Sequence, residues 1–168
     1  QAYITGCGDS YFAGLAARLA FQRFGGVQVE PLEALEFGRY VAEFIPADSL
    51  VFAISNSGKA TRTVEAAIQA REAGAFTIAI TGNPSGWLAQ ESDTYLDQSV
   101  RLGDKSLTMP SNLEDTAQRP SFGLANFLAS LTTLYLTAFH FGKLRGLLDQ
   151  EEVAALTREL ESLADAID

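Results

Sequence analysis

A chain of 168 residues is long enough for one domain with a substantial buried core. Its 47% hydrophobic and 20% charged content is that of a globular fold and excludes a disordered one. With 21 acidic against 12 basic side chains and a net charge of -9, it argues against general nucleic-acid binding, and it has no basic block to draw it to an anionic membrane.

Cys7 is the single cysteine, which excludes an intrachain disulfide and a thiolate zinc site and fits a reducing, cytoplasmic setting. No apolar run reads as long enough to span a bilayer; Leu124 to Phe141 comes closest and is interrupted by Asn126, Thr132, Thr133 and His140. The chain opens Gln1-Ala2-Tyr3, inside a strand and without an initiator Met or signal peptide, so it reads as part of something longer.

In chain order, Ala2 to Thr5 is a predicted strand running into the turn Gly6-Cys7-Gly8-Asp9-Ser10. Tyr11 to Phe24 reads as an amphipathic helix with Leu15, Leu19 and Phe24 on its apolar face, stopped by Gly25-Gly26. Val27 to Glu30 is a second strand, and Pro31 opens a short helix over Leu32 to Tyr40. The run Leu50 to Ile54 is a strand buried on both faces. It passes through Ser55-Asn56-Ser57-Gly58-Lys59 into a helix that begins at Thr61 or Thr63 and is capped by Gly74. Phe76 to Thr81 is a fourth strand, Gly82 to Gly86 a turn, Trp87 to Glu91 a short helix and Thr94 to Leu96 a fifth strand. Residues 101–121 form a polar active-site loop or connector. Phe122 to Phe141, ended by Gly142, and Gln150 to Ile167 are the closing helices. The expected division is thus one domain over 1–168: a core over 1–100, the loop, and C-terminal helices over 122–168.

Strands alternating with helices predict an α/β fold, a three-layer α/β/α sandwich around a five-stranded parallel sheet. In the flavodoxin-like order 2-1-3-4-5, the first and third strands are neighbours across the topological switch point, where ligands sit at the carboxyl ends of the strands. The turns after those strands are the two rich in Gly and Ser, so both line one crevice. A helix start leaves backbone N–H groups unpaired and carries partial positive charge, which suits an anion. The turn from Ser55 to Thr61 is therefore expected to hold a phosphate on backbone and hydroxyl groups.

Those residues carry a resemblance. Gly6-Cys7-Gly8-Asp9-Ser10 and Ser55-Asn56-Ser57-Gly58, with Leu35-Glu36-Phe37 and Ile80-Thr81-Gly82-Asn83-Pro84, resemble the SIS (sugar isomerase) domain over about Ala2 to Thr94. The likeness is greatest to the isomerase part of glucosamine-fructose-6-phosphate synthases and to related phosphosugar isomerases and deaminases. It implies that Ser10, Ser55, Asn56 and Ser57 bind the phosphate of a hexose 6-phosphate or amino sugar phosphate, with Gly58 in the same turn. No metal or nucleotide cofactor is implied. The reaction implied is proton transfer between C1 and C2, ending in isomerisation, amino transfer or deamination. A homodimer or a second SIS domain is expected to complete the site. The competing class is a non-catalytic sugar-phosphate sensor.

The chain departs from the family in places. Ala60 stands where the family has Thr, and Thr61 is the nearest hydroxyl. Asp9 stands where the synthases have Thr; it is expected to cap the helix or, together with Gly8, to contact the sugar at a hydroxyl or amine. The segment Leu35 to Arg39 holds no His, and Arg23 falls near where the catalytic Glu is expected. Candidates for acid/base work are Glu36, Glu114 in the polar loop (with Arg119 nearby), and His140, the lone histidine near a helix end. Cys7, at a helix start, reads either as a lowered-pKa thiol or as a small buried filler.

Three other motifs fail. A dinucleotide fingerprint needs a third glycine where Tyr11 stands, although Glu30 lies near the distance for a ribose-binding acid. A Walker loop has Ala53 and Ala60 at required Gly and Ser/Thr positions, and a nucleophile elbow fits neither Ser10 nor Ser57.

Overall fold

The computed structural model describes residues 1–99, 101–102, 105–106 and 122–166. The first strand, β1 (Ala2–Gly6), is buried along its whole length and leads into α1 (Asp9–Arg23). Next come β2 (Val29–Glu33), a helical turn α2 (Ala34–Glu36), a π-helical turn (Phe37–Val41) and a 3-10 turn (Ala42–Phe44). Then follow β3 (Leu50–Ile54), α3 (Thr61–Glu72), β4 (Phe76–Thr81), α4 (Trp87–Gln90) and β5 (Thr94–Asp97). Two-residue strands β6 (Arg101–Leu102) and β7 (Lys105–Ser106) pair antiparallel. Helices α5 (Phe122–Leu144) and α6 (Gln150–Ala166) close the chain.

The five long strands form one parallel sheet in the order β2-β1-β3-β4-β5, as the alternation of elements predicts. Successive side chains on β1 point to opposite faces, so Ala2 and Ile4 pack under α1 and α5, while Tyr3 packs with Phe37 and Val51 under the α2–α3 layer. On the α1/α5 face Phe21, Phe52 and Phe141 meet with ring centroids 5.6 to 6.3 Å apart. The opposite face is filled by Ala53, Val64, Ala67, Ala79 and Leu88. The core is therefore two layers of apolar side chains about the sheet, with α6 lying on α5 outside them.

Four expectations need correction. Pro31 does not open a helix; it lies within β2, paired with Ile4 of β1. That is allowed because β2 is an edge strand, where a missing N–H costs no ladder bond. The buried face of α1 is not built on Leu15 and Leu19, although Phe24, just past the helix end, packs half-buried against the core. That face is Ala13, Gly14, Ala17, Ala20 and Phe21, whereas Leu15 and Leu19 are exposed. Small residues win because the helix lies close on β1: a Cβ on Gly14 would come within 2.7 Å of Ile4 Cγ2. Nor does Gly142 end α5, which continues to Leu144. A Cβ there would strike the carbonyl oxygen of Phe24, so Gly142 lets α5 touch the end of α1. Gly146, at φ +70°, stands beyond the helix end instead. Finally, β6 and β7 give part of the predicted loop regular structure; Glu114 and Arg119 lie outside the described residues.

Against the expectation that no apolar run is long enough, the stretch Gly123–Leu144 could cross a membrane by length and composition alone. In the fold it packs along α1, burying Leu134, Ala138 and Phe139. Thr133 and Thr137 turn their hydroxyls onto its own backbone, donating to the carbonyls of Ala129 and Thr133.

Candidate phosphate-binding site

At the switch point β1 and β3 run side by side, with Gly6 opposite Ile54. A Cβ on Gly6 would stand 2.8 Å from Ser10 Cβ and 3.0 Å from the carbonyl oxygen of Ile54. Ser10, in the first turn of α1, is thereby held against the last residue before the serine turn. The two turns also touch directly, with Cys7 Sγ 3.6 Å from Thr63 Oγ1 in the first turn of α3. Residues some fifty apart in sequence thus line one crevice.

Both helices that start there are uncapped. The residue before α1 is Gly8, at φ 55° and ψ -124°, and that before α3 is Ala60; among the described residues neither helix start receives a side-chain cap, though the Ser10 N–H donates to Cys7 O at 3.2 Å. Ala60 accepts the N–H of Val64 on its carbonyl but has no side chain to satisfy the N–H groups ahead of it. Two adjacent helix starts direct unpaired donors and dipole charge at one point. The site suits an anion.

The serine turn is held rigid from behind. Ser55 is 4% exposed; its N–H donates to Ile80 O at 3.0 Å, and its carbonyl accepts from Gly58 N at 3.0 Å. Gly58 has φ +65°, which favours glycine, and its carbonyl accepts from Leu88 N. The turn after β4 braces it: Gly82 N donates to Asn56 O at 3.0 Å, and Asn83 Nδ2 donates to Ser57 O at 3.1 Å. Ser57 Oγ accepts from Lys59 N. Thr61 is the first residue of α3 and is exposed, available to the crevice.

Ser10, Ser55, Asn56, Ser57, Gly58 and Thr61 are thus brought to one place, with Gly8 at the start of α1. Asp9 does not cap α1. It is the first helical residue, exposed, and its Oδ2 faces the start of α5, 3.4 Å from where a Gly123 Cβ would stand. Glu36 is exposed on α2. His140 is exposed and lies 18 residues along α5 from its start, roughly 27 Å from the crevice end of that helix.

Sequence reasoning gave Glu33 no role here, and it named Thr63 and Asn83 without the contacts they make. Glu33 ends β2 beside Gly6 and accepts the N–H of Leu35 at 2.7 Å. Thr63 is fully buried and touches Cys7, and Asn83 ties the two loops together. The Asn-Pro pair after a strand was the available signal for Asn83. Burial pushes the Cys7 thiol above its ordinary value, and the Glu33 carboxylate adds to that against the contact with Thr63. Cys7 is thus the half-buried filler, not an activated thiol.

Residues 1–108 match the family model of the SIS domain. Glutamine–fructose-6-phosphate aminotransferase [isomerizing] of Clostridium tetani is 30% identical over 166 residues, covering 97% of this chain and 24% of that protein. The enzyme of that name from Mycolicibacterium smegmatis is 31% identical over 170 residues, covering 99% and 24%. The chain therefore spans about a quarter of the length of these relatives. Among solved structures, the C-terminal domain of glucosamine-fructose-6-phosphate aminotransferase from Francisella tularensis superposes with a TM-score of 0.74 at 22% identity, over 96% of this chain and 41% of that one. Glucosamine-6-phosphate deaminase from Thermotoga maritima gives 0.64 at 20% identity, over 96% and 43%. These two share the fold. With the family model matched across the sheet and both glycine- and serine-rich turns, the chain belongs to the SIS domain family.

Proposed function

We propose that the crevice between the Gly6–Ser10 and Ser55–Thr61 turns binds the phosphate of a hexose 6-phosphate or amino sugar phosphate. The observation that carries this is the pair of uncapped helix starts joined across the switch point by the Cys7–Thr63 contact. The net charge of -9 supports short-range capture on backbone and hydroxyl groups rather than steering by a basic surface. In the full protein the domain serves an aldose–ketose isomerase, aminotransferase or deaminase reaction at C1 and C2, and a second SIS domain or second copy completes the active site. The names and lengths of the relatives support that class.

One observation favours the alternative, a sugar-phosphate sensor. Of the acid/base candidates within the described residues, Glu36 is exposed on its helical turn and His140 stands at the far end of α5.

Thermal-shift titration of the wild type and Ser55→Ala with fructose 6-phosphate, glucosamine 6-phosphate, glucose, inorganic phosphate and NAD tests the phosphate reading. A sugar phosphate at a hundred times its Kd should raise the wild-type Tm by about 5–10 °C. Ser55→Ala should lose most of that rise, and glucose should give none. A response to NAD with none to sugar phosphates would overturn the proposal.

A further inference from the structure

Gln98 directly follows β5 and is 4% exposed. Its backbone N–H donates to Thr81 O at 3.0 Å, and its side-chain Oε1 accepts from Ser130 Oγ at 2.8 Å. The other half of that amide, Nε2, is buried without a hydrogen-bond partner among the described residues. One turn before Ser130, on the same face of α5, Asn126 Oδ1 is also buried and has no partner among the described residues. Leaving such groups unsatisfied is costly, so their presence asks for an explanation.

Position supplies one. Gln98 stands at the carboxyl end of the sheet, as the serine turn does, and Thr81 links the two by bonding to Gln98 N and Asn56 O. The start of α5 faces Asp9 at the start of α1, so Asn126 lies near the crevice end of that helix. Two strand spacings separate β3 from β5, about 10 Å, which is comparable with an open-chain hexose phosphate from phosphorus to its carbonyl end. One vacant donor and one vacant acceptor are the complement of a hydroxyl group, which gives and takes a hydrogen bond.

We propose that Gln98 Nε2 and Asn126 Oδ1 bind a hydroxyl of the sugar, at the end away from the phosphate, and so set which sugar phosphates the crevice accepts. This rests on the serine turn being the phosphate site. Its test is calorimetric titration of the full-length wild type, Gln98→Glu and Asn126→Leu with fructose 6-phosphate, glucosamine 6-phosphate and glycerol 3-phosphate. Gln98→Glu keeps the acceptor that serves Ser130 and removes the donor. Each variant should weaken hexose phosphate binding about tenfold and leave glycerol 3-phosphate unchanged.

Unchanged hexose phosphate affinity in a folded variant would mean that the pair holds a resident water, and would overturn the inference while the phosphate site stands. An equal loss for all three ligands would also overturn it, because the pair would then act through the fold. Failure of the wild type to bind any of the three would instead sink the phosphate reading beneath it. Either variant decides the matter if the other does not fold.

Discussion

Gly58 shows how one residue sets the geometry of the crevice. Its φ of +65° is strained for any side chain, and a Cβ would stand 3.1 Å from Thr81 Oγ1 and 3.3 Å from Gly86 Cα. Strain and crowding fall on the same atoms that brace the serine turn, so the turn must move if the glycine changes. Gly58→Ala should cost about 1–2 kcal/mol of stability from the backbone conformation alone. It should also weaken sugar phosphate binding by more than the Tm loss explains, since the donors would no longer converge. Chemical unfolding beside a titration would separate the two effects. Intact affinity in the destabilised variant would show that the turn's exact shape does not matter.

Asp93 is informative at the element scale because it fastens the start of β5 to β4. One oxygen, Oδ2, accepts both the backbone N–H of Thr77 at 2.7 Å and the Thr77 hydroxyl at 2.8 Å. These bonds, the backbone one first, hold the carboxyl below its ordinary pKa. A carboxylate with a depressed folded value adds stability above its unfolded pKa and loses it as pH falls through the folded one. The difference in stability between the wild type and Asp93→Asn should therefore be greatest near neutrality and shrink in acid. A gap that stayed constant down to strong acid would contradict this. At the contact between helices, Gly142→Ala should force α5 off the carbonyl of Phe24 and cost about 1–3 kcal/mol, measurable as a lowered urea midpoint.

How much of this was readable depended on whether the deciding interaction was local. The runs Leu50–Ile54 and Phe76–Thr81 are strands at the predicted bounds because burial on both faces makes nearly every residue apolar. The position of the serine turn was legible for a similar reason, since hydroxyls and a glycine between a strand and a helix mark a turn, whether it caps the helix or holds a ligand. Pro31 misled because a proline was read as opening a helix, although the predicted strand order already placed the second strand at the sheet edge, where a proline is tolerated. The apolar face of α1 misled because leucines were weighed above alanines; the close approach of helix and strand at Gly14 reversed that ranking. The Asn83-Pro84 pair marked a turn, but that Asn83 braces Ser57 across 26 residues could not be read from it, because the contact is not local.

For the whole molecule, the question is whether this crevice can do chemistry alone. Proton transfer between C1 and C2 needs a base within hydrogen-bond reach of those carbons. Beside the two turns stand Asp9, exposed at the first turn of α1, and Glu33, already committed to the N–H of Leu35. Among the described residues neither is a poised base, since Asp9 stands in solvent and Glu33 is spent on a backbone N–H. The 168-residue chain by itself is therefore expected to bind hexose phosphates without exchanging their C1 and C2 protons, while the full-length protein or an added partner domain restores exchange. Proton NMR of fructose 6-phosphate in deuterium oxide reads this directly. Loss of the C1 signal with the chain alone, abolished by Glu33→Gln, would place the base in this domain and remove the need for a second one. Exchange absent from the full-length protein too, with binding intact, would turn the reading from an enzyme to a sensor.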